Sequence, residues 1–560
     1  MNKKLYLPLL MAVVLAFTSC SKKIGEMNAN FFNVSPQPLV AVGGIVPATI
    51  DGTFPEKFFT KKSVVTVTPV LVYEGGETKA TSFVYQGEKV VGNDQTISYK
   101  MGGNISMKTA FEYIPEMRKS ELYLDFSVVT GAKTYTLPRV KVADGVVATS
   151  TFATAEGADA AIAPDAFERI TTEDFAAKIL FLIQQANLRN SELTTEQMDN
   201  VKAVMKAAET AENQRISALN IASTASPDGT MELNTNLAMN REKNTTKYME
   251  RVLSRDNLTA EIFAEFTAED WVGFQELVEK SNIQDKELIL RVLSMYNSPE
   301  EREAELKNLA AAFTQLADDI LPQLRYSKVT ATIETIGKSD EEIAKLAKED
   351  PKALNVEELL YAATLTNDNA AKLAIYEDAT AIYPTDYRAY NNIGCIYFEE
   401  GDVAKAEDMF KRAHKVDPKS AEVAMNMGMV ALSNRDFATA QQYFGQAAGV
   451  SELPAALGTL YTERGEYQKA VAAFGDTKSN NAAVAQICAG DYNTAKNTLS
   501  GVESKDALTY YLMAVVGART NNENMVSSNL KEAVKHDASM AKVAMDDIEF
   551  SKYNVAEWVK

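Results

Sequence analysis

Two histidines, His414 and His536, and three cysteines, Cys20, Cys395 and Cys488, are the whole stock of imidazole and thiol in this 560-residue chain. Imidazole is the commonest general base and metal ligand near neutral pH. A zinc centre, a Ser-His-Asp triad or a Cys-His pair therefore has almost nothing to be assembled from, and neither a metal site nor a cofactor is expected. Carboxylates are plentiful: 76 Asp and Glu stand against 57 Lys and Arg, for a net charge of −19. The acid pairs Glu357-Glu358 and Glu399-Glu400 are sequence neighbours, which on a helix diverge by about 100° and do not face each other as an acid/base couple. The acidic balance also disfavours a nucleic-acid partner, which needs a basic face. These residue types point away from catalysis and toward binding or scaffolding.

The elements that must position such chemistry come next. At about 150 residues per domain the length predicts three or four domains, and 24% charged with 46% hydrophobic residues is the mix of a soluble globular chain. Asn2-Lys3-Lys4 followed by the apolar run Leu5–Phe17 and then Thr18-Ser19-Cys20 reads as a secretory leader, too short for a stable span. Ser19-Cys20 after that run resembles the bacterial lipobox, with Phe17 where the tightest version has Leu. The resemblance implies a signal peptide at 1–19, cleavage before Cys20, and acyl chains such as palmitate on Cys20. Each buried methylene contributes about 0.8 kcal/mol of anchoring. Losing Lys3 and Lys4 makes the mature chain two charges more negative. No other apolar run has the length of a membrane-crossing helix. The overall style resembles lipoproteins of the Bacteroidetes lineage. Surface-displayed members carry acidic residues just after the Cys; Lys22 and Lys23 stand there in this chain. The expected address is the outer membrane, lipid-anchored and facing the periplasm.

After a linker at 20–30, residues 31–155 read as a β-sandwich-like domain. Ser63–Thr68, Pro69–Tyr73, Thr81–Tyr85, Gln95–Lys100, Ser120–Phe126 and Lys133–Leu137 are β-branched, aromatic or alternating runs, separated by Gly-Gly loops at 43–44, 75–76 and 102–103. Phe58-Phe59 reads as core or edge packing rather than a partner site. Val42-Gly43-Gly44 lacks the following helix that a phosphate-binding loop requires.

Residues 165–340 read as an α/β unit. Ile179–Ile183 and Ile216–Ile221 are strand-like, helices follow at Thr195 to about Glu212 and Met231–Leu253, and Val329–Ile333 supplies a last strand. A helical insertion is expected at 255–322, with Trp271, Phe274, Leu277 and Val278 at helical spacing packing it onto the sheet. The turn Ser223-Thr-Ala-Ser-Pro-Asp-Gly229, followed by Asn234, Leu237 and Arg241 with Ala238 in a Ser position, resembles the OmpA-like, peptidoglycan-associating domain. The resemblance implies that Arg241 takes the role of the family Arg, bidentate to a diaminopimelate carboxylate. The family Asp, which reads the amine, is replaced by Ser226, with Asp228 two residues on. Peptidoglycan is thus one expected partner, with Asn234, Asp228, Ser226 and Arg241 as its candidate residues. The competing expectation is a degenerate domain reused for protein contact.

Residues 353–545 carry an internal repeat. Tyr390, Ile393, Gly394, Tyr397, Ala406, Phe410, Ala413 and Pro418 sit at tetratricopeptide spacings, echoed by Met427, Gly428, Ala440 and Phe444 and by Leu457, Gly458, Ala470 and Phe474. A weaker leading unit has Leu360, Tyr376, Ala379 and Pro384, and a tail at 546–560 closes the chain. The small and aromatic residues are architectural, because stacked helix pairs need close approach and a filled gap. Asn391, Asn392 and Asn426 fall on first helices and are candidates for clamping a peptide backbone, since an amide both donates and accepts.

The expected fold is multidomain α+β: an N-terminal β-sandwich-like domain, an OmpA-like α/β domain with a helical insertion, and a C-terminal all-α tetratricopeptide-repeat solenoid. The expected function is a non-enzymatic, lipid-anchored envelope scaffold that binds protein partners through its repeats. The alternative is an accessory subunit of an outer-membrane assembly, secretion, fimbrial or glycan-uptake machine.

Overall fold

The computed structural model describes residues 24–283, 286–296, 298–308 and 314–559. The leader at 1–19 and Cys20 lie outside them. The chain forms two compact units: one combines residues up to Pro164 with those from Thr366 onward, and the other is Asp165–Leu365.

In the first unit, strand alternation builds a sandwich. Ser63–Tyr73 turns Val65, Val67 and Leu71 inward, and Ser120–Thr130 does the same with Leu122, Leu124, Phe126 and Val128. These two strands pair along their length, with Lys133–Asp144 outside one and Phe83–Gly87 then Gln95–Ile97 outside the other. The facing sheet is Phe32–Ser35, Ile45–Phe54 and Gly103–Glu112 in that order. Its Val46, Ala48, Ile50, Phe54, Ile105, Met107 and Phe111 share one core with the first sheet. Ser63–Thr68 and Pro69–Tyr73 are a single strand. Two strands that the sequence reading passes over, Ile45–Phe54 and Gly103–Glu112, carry Pro47 and glycines that dilute the β signal. At Gly52 a Cβ would lie 2.9 Å from both Ile105 and Phe32, so glycine is what lets three strands close. Phe59 is fully buried and Phe58 packs on the same core.

The solenoid in this unit stacks the helix pairs Tyr387–Glu399 with Val403–Val416, Ala421–Ser433 with Phe437–Phe444, Leu453–Glu463 with Tyr467–Phe474, Asn480–Ala489 with Tyr492–Ser500, and Ala507–Arg519 with Glu523–His536. Asn369–Ile382 precedes them. In the first three pairs, Cβ atoms built on Gly394, Gly428 and Gly458 would stand 2.5 Å from the rings of Phe410, Phe444 and Phe474. Asp402, Asp436 and Asp491 cap second helices through the N–H groups of Lys405, Thr439 and Thr494. Residues 546–559 pack on the array: Phe550, Val555 and Val559 are buried with Tyr511 and Leu512 of the last pair. The sandwich rests on this array. Phe152 meets Tyr511 with ring centroids 5.2 Å apart, Thr149 bonds Glu549 at 2.7 Å, and Arg519 holds the same carboxylate at 2.6 Å.

In the middle unit the strand order is Ile170–Leu180, Tyr326–Ile336, Gln214–Thr224, Ile262–Thr267, with only the last two parallel. Helices Glu196–Thr210 and Met231–Asp256 cover one face, burying Met198, Val201, Met205, Met249 and Val252 against Ile179, Leu219, Ile221, Val329 and Ala331. The first strand starts at Ile170 and ends before Phe181. Ile262–Thr267, which the sequence reading assigns to the insertion, is an edge strand. The insertion proper is Trp271–Lys280, Lys286–Met295, Pro299–Asn308 and the turns Leu316–Leu324. Phe274 and Val278 pack with Ile289, Leu293, Leu316 and Ile320 in a core of the insertion's own, not onto the sheet. The leading repeat is divided: Val356–Thr364 packs on Asp340–Glu349, tied by the Tyr361–Asp340 hydrogen bond and the 2.9 Å Lys338–Glu358 ion pair. Among the described residues no helix is long and apolar enough to cross a membrane.

Candidate functional site

The first helices of the repeats line a concave groove, and the groove holds a stretch of the chain itself. Asn392 and Asn426 occupy the same place in successive repeats, two residues before Gly394 and Gly428. Asn426 Oδ1 accepts the Ala161 N–H at 2.7 Å while its Nδ2 donates to the Ala161 carbonyl at 2.8 Å. Asn392 treats Ala163 in the same way, at 2.8 and 2.9 Å. Asn391 Nδ2 and Cys395 Sγ also donate to the Ala161 carbonyl, at 2.9 and 3.2 Å. In an extended chain, residues two apart point the same way, so asparagines one repeat apart read alternate residues. Farther along the array Asn481 Nδ2 donates to the Thr154 carbonyl at 2.7 Å, and at the other end Arg388 reaches the Pro164 carbonyl at 3.4 Å. Residues 154–164 therefore run antiparallel to the order of the repeats.

Side chains as well as main chain are constrained. Ala155, Ala160, Ala161 and Ala163 are buried, the first three against a cluster that includes Cys395, Phe398, Met425 and Met429. A Cβ on Gly157 would lie 2.7 Å from Asn481 Oδ1. Ser433 donates to Glu156 at 2.7 Å. Glu463, buried at the end of its helix, is pushed up to about 7 by loss of water; Arg435 opposes that shift and Glu156 adds to it. The sequence reading singles out Asn391, Asn392 and Asn426, and the structure brings all three together. It leaves Asn481 and the occupant unnoticed. The available signal was a run of alanines with Gly157 and Pro164 that has neither helical nor strand periodicity.

The candidates in the middle unit form a second cluster. Ser226 donates to Asp228 at 2.6 Å, and Arg325 Nε donates to Ser226 at 2.9 Å while its Nη2 pairs with Asp228 at 3.0 Å. Asn234 Nδ2 donates to Glu269 at 2.8 Å and to the Gly229 carbonyl at 3.2 Å. Arg241 is only 1% exposed. It donates to the carbonyls of Gln185 at 3.0 Å, Thr224 at 2.8 Å and Leu182 at 3.5 Å, over the Phe181 ring. Burial pulls its guanidinium down to about 10, with like charge from Arg325 adding to the shift and Asp228 opposing it. Arg241 thus serves the turn and the loop after the first strand rather than facing solvent.

His414 and His536 lie against Tyr443 and Tyr510. Burial raises the Cys395 thiol and pushes Cys488 up to about 12. Glu358 is engaged by Lys338, and Glu399 is raised by burial. Among the described residues no three His, Cys, Asp or Glu side chains converge as metal ligands. A cleft of about 1050 Å³ between the sandwich and the last helices is lined by both signs of charge, including Arg118, Lys119, Asp546 and Glu549.

The tetratricopeptide repeat family model matches residues 387–420, which hold the helix pair Tyr387–Glu399 and Val403–Val416. The C-terminal region is an all-helical repeat array of that type, and such arrays typically mediate protein–protein interaction. No curated protein matches the chain. Similar solved structures include a tetratricopeptide repeat protein from Parabacteroides merdae, at 15% identity over 37% of this chain and 91% of that one, with a TM-score of 0.30. The type IV pilus biogenesis factor PilW is 18% identical over 36% of this chain and 94% of its own, with a TM-score of 0.27. YrrB, described as a tetratricopeptide protein with an unusual peptide-binding site, is 17% identical over 38% of this chain and 100% of its own, with a TM-score of 0.22.

Proposed function

We propose that this chain is a non-enzymatic scaffold of the bacterial envelope, held to the outer membrane by lipid on Cys20, facing the periplasm, and binding protein partners through its repeats. The observation that carries the reading is the asparagine set in the groove. Asn391, Asn392 and Asn426 are buried and spend their amides on the main chain of an extended segment, which is a way of holding polypeptide. The leader and the Ser19-Cys20 junction support the anchor. The middle unit is assigned to protein contact rather than to wall binding, because Arg241 is spent on backbone carbonyls. Crosslinking in intact cells followed by mass spectrometry tests the scaffold: recurrent envelope partners crosslinked to residues 387–536 are expected, and an absence of any would sink it. Cys20→Ala is expected to release the protein from the membrane fraction. Purified peptidoglycan should retain neither wild type nor Arg241→Ala; retention lost on substitution would restore the wall-binding role.

A further inference from the structure

While residues 154–164 fill the groove, no partner can lie in it. We propose that this segment is an intramolecular competitor: it keeps the concave face closed, and its sequence defines the external ligand, an extended chain with Gly at the place of Gly157 and Gly or Ala at the places of Ala155, Ala160, Ala161 and Ala163, entering antiparallel to the repeats. This rests on the reading of the repeats as the protein-binding element.

Three observations make the segment a replaceable ligand rather than a fixed part of the core. Its bonds to Asn391, Asn392, Asn426 and Asn481 all use main-chain groups, which any extended chain offers equally. Apart from the single turn Ala155–Gly157 it belongs to no helix or strand, so its departure breaks no helix and no sheet. It is also an imperfect occupant. Glu156 brings a second carboxylate toward buried Glu463, and Ile162 stays 47% exposed. A ligand with a neutral residue at the Glu156 place avoids the first fault.

The test uses the full chain and a labelled synthetic peptide of residues 151–165. Ala161→Asp with Ala163→Asp drives the internal segment out, because neither carboxylate fits the small pockets. That variant is expected to bind the peptide saturably and at least tenfold more tightly than wild type. Adding Asn392→Ala and Asn426→Ala should abolish binding, as should Gly157→Ala in the peptide, while Glu156→Gln in the peptide should tighten it several-fold. Equal binding by wild type and the released variant, or binding indifferent to the two asparagines, overturns the proposal. Should the released variant fail to fold, hydrogen exchange in wild type decides. The Ala161 and Ala163 amides should be protected yet open at lower denaturant than amides of Tyr387–Glu399. Exchange only through global unfolding, or no protection, overturns it. A wild-type chain that crosslinks partners in cells while the released variant takes no peptide removes the competitor and leaves the scaffold standing.

Discussion

Asn392 and Asn426 each bond the main chain of one segment residue, Ala163 and Ala161, so truncating either strands that residue's buried N–H. Leaving a buried donor or acceptor unmet costs about 1–3 kcal/mol. Asn392→Ala and Asn426→Ala should each lower stability by an amount in that range in urea unfolding, and exchange should accelerate most at Ala163 for the first and at Ala161 for the second. Glu463 makes a different prediction. Its carboxyl is raised from 4.5 to about 7, so the folded chain holds a proton that the unfolded chain releases between those values. The associated stability is present below pH 4.5 and lost as pH rises through 7. It amounts to roughly 3 kcal/mol, at about 1.4 kcal/mol per pH unit. The urea midpoint should fall over that window, and Glu463→Gln should flatten the fall. A midpoint that climbs from pH 5 to 7 in wild type, and not in the variant, would refute the assignment.

At the scale of elements, the repeat helices are held in place by a glycine facing a phenylalanine. Gly394→Ala, Gly428→Ala and Gly458→Ala each force a methyl group against a buried ring, and overpacking of this kind costs about 1–3 kcal/mol. Gly401→Ala meets no atom but sits at φ +78°, where an L-residue costs roughly 1–2 kcal/mol. Denaturation of the four variants should show comparable losses from these two distinct causes. Arg241→Lys should fail to rescue the instability of Arg241→Ala, since one ammonium cannot span the carbonyls of Gln185, Thr224 and Leu182 as a planar fork does. The repeats were legible because Gly, Ala and Phe recur together at spacings of 34 and then 30 residues, and Asn391, Asn392 and Asn426 could be placed once the first helices were known. What escaped were elements whose cause is tertiary. Ile45–Phe54 is a strand despite Pro47 and Gly52 because its neighbours demand closeness. Ile262–Thr267 is a strand because Gln214–Thr224 offers an edge. Residues 158–164 lie outside helix and strand because Asn391, Asn392 and Asn426 hold their main chain, although alanine favours helix.

For the whole molecule, sandwich and solenoid belong to one unit while Asp165–Leu365 forms another. Gly145 sits at φ +44°, and a Cβ there would lie 2.5 Å from Ile548 of the C-terminal turn. Gly145→Ala should therefore destabilise sandwich and solenoid together. Calorimetry is expected to resolve two transitions, of which only the one belonging to the discontinuous unit moves; separate melting of sandwich and repeats would contradict the assignment.

The threaded segment also constrains the order of events during synthesis. Ala163 meets Asn392 across 229 positions, Ala161 meets Asn426 across 265, and Thr154 meets Asn481 across 327. Pairings this distant are slow to form because a long loop must close first. The middle unit, contiguous from Asp165 to Leu365, can be complete before the first groove asparagine leaves the ribosome. The Ala163 end of the segment must wait until residue 392 has emerged, and its Thr154 end until residue 481 has. Its residues are a fit choice for waiting: alanines, a glycine and two acids carry too little apolar surface to aggregate.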